Sequence, residues 1–203
     1  MDGARRAKGF LDVAGTAALA RRGVTVLEPR TTLVAAAAEL EEGVVLWPGS
    51  IVEIGAGGSV AVGGGTVLFP GARIAALGGQ VRIGRGCEIG EEGGFTVKAL
   101  AGDSIAVGAA ARLLGGGSLT GSNGLGDGAQ VLGPIRIQRC RLGAGGSHAE
   151  PDPDRRGGVL KGCGVARDLD VPQGHVIQAF GLFAEAPLRR QSFFHPRAED
   201  ARS

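Results

Sequence analysis

The sequence has no tyrosine, one tryptophan, one methionine and one asparagine, and its 203 residues include only three histidines and three cysteines. Cys87, Cys140 and Cys163 are odd in number and widely spaced, with no CxxC pair and no Cys/His pairing at zinc spacing. That excludes a disulfide framework and a zinc module and points to reduced thiols in core or turn positions. An excess of charge is also missing: 22 Lys+Arg stand against 20 Asp+Glu, a net charge of +2. Non-specific nucleic-acid binding needs a clustered basic face, so no nucleic-acid partner is expected. The arginines that gather (Arg5, Arg6, Arg21, Arg22; Arg155, Arg156; Arg189, Arg190) read as solvated end segments. No charged-then-apolar leader opens the chain and no apolar run has bilayer length, so a cytoplasmic protein without membrane contact is expected.

What the chain has is glycine, 39 residues of it, without the three-residue period of collagen. With 43% hydrophobic residues between the glycines there is enough apolar surface to bury, which argues against disorder. A turn-dense fold remains, in one domain rather than two.

The apolar residues recur every six positions. From Ile83 the steps fall on Ile89, Phe95, Ala101, Val107, Leu113, Leu119, Leu125, Val131 and Ile137. Glycine often follows, as at Gly84, Gly90, Gly102, Gly108 and Gly126. Earlier blocks (Val34, Leu40, Leu46, Val52; Ile54, Val60; Leu68, Ile74) and a later one (Val159, Val165, Val171, Ile177) keep the spacing with small slips. A period of six fits neither an amphipathic helix nor a hairpin meander. It fits a triangular coil in which three short strands make a turn, one apolar side chain per strand points to the axis, and glycines sit at the corners.

This pattern resembles the hexapeptide-repeat acyltransferases. Gly23-Val24-Thr25-Val26-Leu27-Glu28-Pro29 resembles the linker entering the β-helix of the bifunctional N-acetylglucosamine-1-phosphate uridyltransferase/glucosamine-1-phosphate acetyltransferase family. That family has Asp where Glu28 stands. Val165-Ala166-Arg167-Asp168-Leu169-Asp170-Val171-Pro172-Gln173-Gly174-His175-Val176-Ile177 resembles the last coil of many sugar acetyltransferases. The resemblance implies an all-β, left-handed parallel β-helix over residues 23–181, assembled as a homotrimer. A helical segment is expected over residues 1–22, a protruding loop at about 147–158 where the repeat breaks, and an irregular tail over 182–203. The Asn- and Tyr-containing acetyl-transfer segments of the bifunctional enzyme have no counterpart here, and the last coil ends Gln178-Ala179-Phe180-Gly181. The fold carries over; the glucosamine-1-phosphate reaction does not.

The activity so implied is transfer of an acetyl group from acetyl-CoA to an amine or hydroxyl of a sugar or nucleotide sugar. Imidazole titrates near neutral pH and suits the proton transfer. His148, where the repeat gives way to a polar loop, is the candidate base, with Glu150 to orient it and Asp152 and Asp154 to meet substrate. His175, beside Gly174, is placed near the cofactor arm. Arg189 and Arg190 are placed near its phosphates, and His195 with the substrate. Each has a plainer reading: a solvated loop, a turn, and a tail that docks its aromatics. The zinc-binding γ-type carbonic anhydrases share the same helix, but these histidines are too scattered for their ligand set. A non-catalytic trimeric scaffold or binding module derived from a sugar-nucleotide enzyme is the alternative function.

Overall fold

The computed structural model describes residues 2–195. Over most of that length the backbone coils as a parallel β-solenoid with three faces. The strands are short, mostly two to four residues, because each must turn a corner after one inward side chain. Stacked rungs pair in parallel, so the inward residues form three columns. On the first face Val26, Leu46, Leu68, Ile89, Leu113, Val131, Leu160 and Ile177 are in register. Val34, Val52, Ile74, Val97, Leu119, Ile137 and Ala166 align on the second. Leu40, Val62, Ile83, Val107, Leu125, Leu142 and Val171 align on the third. All but the terminal Val26 are buried, and together they make one continuous core.

The six-residue spacing locates most of these columns, but Ile54, Val60, Phe95, Ala101, Val159 and Val165, which it marks, stand outside them. Ala101 is exposed on a turn. Val107 pairs with Ile83, 24 residues back, whereas Leu125 pairs with Val107 after 18. The longer rung holds the strand Phe95–Leu100 and a glycine turn before Ser104, and its six extra residues restore the phase by which Ala101 reads as a core position. Likewise Val165 is only half-buried, and Ala166 takes the inward place over Ile137.

Glycine serves two different purposes at the corners. Gly90 has φ +95, a conformation that side chains resist. Gly126 has no positive φ; a Cβ there would lie 2.4 Å from the Ala144 nitrogen of the next rung. Gly63, Gly84, Gly108 and Gly143 occupy the equivalent place in their rungs, and each would clash in the same way. At Gly126 it is close stacking of the rungs, not a strained turn, that excludes a side chain.

Both ends carry extra structure. Two six-residue helices, Asp2–Ala7 and Val13–Ala18, precede the first rung, and a 3-10 turn, Leu19–Arg22, ends on Gly23 at φ +75. The Arg5 guanidinium, 6% exposed, donates to the carbonyls of Pro29, Arg30 and Thr32. Phe10 bridges Ala35 antiparallel, and the Leu11 N–H binds the Val34 carbonyl. At the other end Phe183 is fully buried on the last rung. The tail, expected to be irregular from Leu182, instead returns as a strand, Leu188–Arg190, antiparallel to His175–Ile177. Pairing satisfies backbone groups that the last rung would otherwise leave open. The remainder of the tail, residues 196–203, lies outside the described residues. Among the described residues no helix is long and apolar enough to cross a membrane.

Candidate functional site

The outward side of the first face changes character along its length. Its early rungs expose Leu27 and Trp47, and Trp47 stacks on Phe69 with ring centroids 5.9 Å apart. Further on, the outward column runs Glu88, Arg112, Gln130, Val159 and Val176, with Leu132 and Lys161 paired beside it. Two walls rise over this later stretch, one from the loop after Gly146 and one from the returning tail. Between them lies a cleft of about 290 Å³. Its floor is Arg112, Gln130, Leu132, Val159, Lys161 and Val176; the loop contributes His148 and Arg156, the tail Gln191, Phe194 and His195.

Each wall is held by hydrogen bonds that the sequence places there. In the loop, Asp152 caps the 3-10 turn Pro153–Arg155 by accepting from the Asp154 N–H at 3.1 Å. Short Asx-type contacts of this kind suit a Pro/Asp-rich segment that cannot extend a strand. Glu150 accepts from the Asp152 N–H at 3.2 Å, and its carbonyl receives Arg156 Nε at 2.7 Å. The tail is clipped to the loop through Asp154, whose carboxylate accepts from the Ser192 N–H at 3.0 Å and the Ser192 hydroxyl at 2.9 Å. Gln191, 4% exposed, donates to the carbonyl of Gly157 at 2.7 Å and that of His175 at 3.4 Å.

His148 and His195 therefore meet in one cleft although 47 positions separate them in the chain. The other candidate residues go elsewhere. Glu150, Asp152 and Asp154 take part in the contacts that build the loop and anchor the tail. His175 begins the last rung, its Nδ1 2.7 Å from the Gln173 carbonyl. Gly174, at φ +69, packs so closely that a Cβ would lie 2.1 Å from the Asp154 carbonyl oxygen. Arg189 stacks over the Phe193 ring at 4.2 Å, and Arg190 pairs across from His175. Arg112, Gln130, Arg156 and Lys161 are the cleft residues that the sequence reading missed. Arg112 and Gln130 stand one 18-residue turn apart, a spacing that was readable; the inserted loop stretches the next step to 29, hides Lys161 and sets Val159, marked by the period as inward, in the outward column.

No protein-family model and no curated protein matches this chain. The site has to be read from its own chemistry.

A larger and more open depression, about 830 Å³, runs along the third face over Ser104, Ser122, Gly124 and Arg141. Among the described residues no histidine lines it. At its rim Arg139 and Asp168 form a two-pronged ion pair at 2.6 and 2.8 Å, and the Arg139 hydrogen bonds hold the Asp168 carboxyl below its ordinary range. Burial pushes the thiols of Cys87 and Cys140 up, which keeps them protonated and inert. Among the described residues no three His, Cys, Asp or Glu side chains come together as a metal ion would require. The cleft thus brings together two imidazoles, three cationic side chains and the carboxamides of Gln130 and Gln191.

Proposed function

We propose that this chain is an acyltransferase-like protein of the hexapeptide-repeat, left-handed β-helix type. It transfers an acetyl group from acetyl-CoA to an amine or hydroxyl of a sugar or sugar nucleotide, and it acts as a cytoplasmic homotrimer. The observation that carries the reading is the convergence of His148 and His195 over a basic floor in a cleft large enough for part of a small molecule. In the step proposed, the acceptor nitrogen or oxygen attacks the thioester carbonyl and a new C–N or C–O bond forms. His148 takes the acceptor's proton, the C–S bond breaks, and the thiolate of CoA leaves with that proton. Lys161 and Arg156 stand where a negatively charged donor or acceptor would be oriented.

The test is a transfer assay on the full chain with acetyl-CoA and a panel of amino sugars and sugar nucleotides, products identified by mass spectrometry. His148→Ala should lower turnover by about 10²–10⁴-fold, the usual contribution of a positioned general base, with melting and oligomeric mass unchanged. Retained turnover removes His148 as the base, and no acetylated product from any acceptor overturns the function. A non-catalytic scaffold has one observation in its favour: Ala106 and Gly124 are adjacent in the outward column of the third face, a short smooth stretch on which another surface could lie. That reading predicts no binding of acetyl-CoA.

A further inference from the structure

We infer that the first-face cleft is a binding site for a small multiply charged oxyanion, a phosphoryl or carboxylate group, gripped by Arg156 and Lys161 with Gln130 completing the contact. The charge balance of the lining comes first. Arg112, Arg156 and Lys161 reach the cleft from three different elements, together with His148 and His195, and among the described residues no Asp or Glu lines it. Arg112 is already matched, its Nε 2.8 Å from Glu88. Lys161 makes no ion pair or side-chain hydrogen bond among the described residues. Arg156 spends only Nε, on the neutral Glu150 carbonyl, and so keeps both terminal nitrogens for a ligand. Two uncompensated cations that line one cleft repel each other unless an anion joins them, and a guanidinium edge matches two oxygens of phosphate or carboxylate.

Gln130 is an independent observation. Its residue is 6% exposed, it lines the cleft, and its carboxamide makes no hydrogen bond to protein among the described residues. Ser50 Oγ is the one buried side-chain polar atom without a partner among the described residues, so the Gln130 carboxamide is reached by the solvent of the cleft and is open to a ligand there. It can donate to an anion oxygen or accept from a hydroxyl beside it. The walls are already fixed by Asp154–Ser192 and by Gln191, so the ligand need not order the loop or the tail to bind. This inference does not depend on acetyl transfer: a site can hold an anion and perform no chemistry.

The experiment is calorimetric titration of the full chain with inorganic pyrophosphate and, separately, with citrate, at fixed moderate salt. Saturable one-to-one binding of either is expected; the better of the two assigns the group as phosphoryl or carboxylate. Lys161→Gln, at an exposed position, and Gln130→Leu, of similar volume, should each weaken binding about tenfold or more, as loss of a hydrogen bond to a charged group does. Arg82→Gln on the third face should change nothing. Failure of both anions to bind, unchanged affinity in Lys161→Gln, or equal weakening by Arg82→Gln overturns the inference. If Gln130→Leu melts early, Lys161→Gln decides alone. Absence of acetylated product in the transfer assay leaves this result untouched.

Discussion

Replacing Gly126 with alanine would set a methyl carbon 2.4 Å from the nitrogen, 2.5 Å from the Cα and 2.7 Å from the Cβ of Ala144. Non-bonded carbon contacts are comfortable at about 3.5–4.0 Å, so the rungs would have to part by roughly 1 Å. The Gly126 N–H bond to Leu142 and the Gly108 N–H bond to Leu125, both 2.8 Å, cross this corner and would lengthen. Overpacking costs about 1–3 kcal/mol and a weakened ladder bond about 1 kcal/mol, so a loss of roughly 2–4 kcal/mol is expected. At about 2–4 °C per kcal/mol for a chain of this size, the melting temperature should fall by roughly 5–15 °C. Two neighbouring glycines separate this cause from backbone strain. Gly102 has φ +84 with open space around its Cβ position, so Gly102→Ala should cost only the left-handed conformation, about 1–2 kcal/mol. Gly124 has neither a positive φ nor a neighbour within 4 Å, so Gly124→Ala should be neutral or stabilising by up to about 1 kcal/mol. Thermal melts of the three variants, followed by far-UV circular dichroism, decide the matter. If Gly126→Ala melts with Gly124→Ala, close stacking is not what keeps that corner free of side chains.

Thiol titration with a disulfide reagent near pH 8 should modify Cys163 first, since it alone of the three is partly exposed, while Cys87 and Cys140 react only on unfolding. Because burial raises the latter two thiols, their contribution to stability is complete below the ordinary thiol range and lost as pH rises through the raised folded values. Alkaline melts should accordingly fall less steeply in a Cys87→Ala, Cys140→Ala double variant. Asp168, lowered by Arg139, works in the opposite direction: its contribution is present above the ordinary carboxylate range and lost as pH falls through the lower folded value. Asp168→Asn should flatten the acid limb of the melting profile slightly, the pair being more than half exposed; an unchanged limb would show that the pair contributes nothing. Gln191→Leu breaks a buried contact that clips the tail, costing about 1–3 kcal/mol locally, and limited proteolysis should then cut near Leu188–Phe193 well before the core. Equal protection of variant and parent would mean that the clip is not what holds the tail.

Much of the solenoid was legible because its inward column admits almost nothing but aliphatic side chains, and Leu113, Leu119, Leu125, Val131 and Ile137 recur at the unadorned period. Ala101 and Val165 were misread for a physical reason: small or β-branched residues suit both a core and a turn, and a rung lengthened by six leaves the periodic signal intact. The glycines were legible as corner residues, but a close backbone contact and a left-handed φ look the same in one letter. The cleft was the least legible feature. His148 and His195 stood out by residue type, whereas the roles of Gln130 and Lys161 depend on which rungs an eleven-residue insertion brings into register. The carboxylates near His148 read as chemical partners, yet Asp152 and Asp154 have structural work as a cap and a clip.

The terminal segments have a consequence for how this chain behaves at high concentration. A parallel ladder has no natural last rung: its final amides and carbonyls are a template on which another chain can add, and stacked repeats are the geometry from which fibres grow. Here the Phe10 bridge and Leu11 occupy one such terminus, and the antiparallel Leu188–Arg190 strand, with Phe183 beneath it, occupies the other. An antiparallel strand cannot continue a parallel stack in phase, so where these segments pair they stand in the way of a further parallel strand, on the second face at one end and the first face at the other.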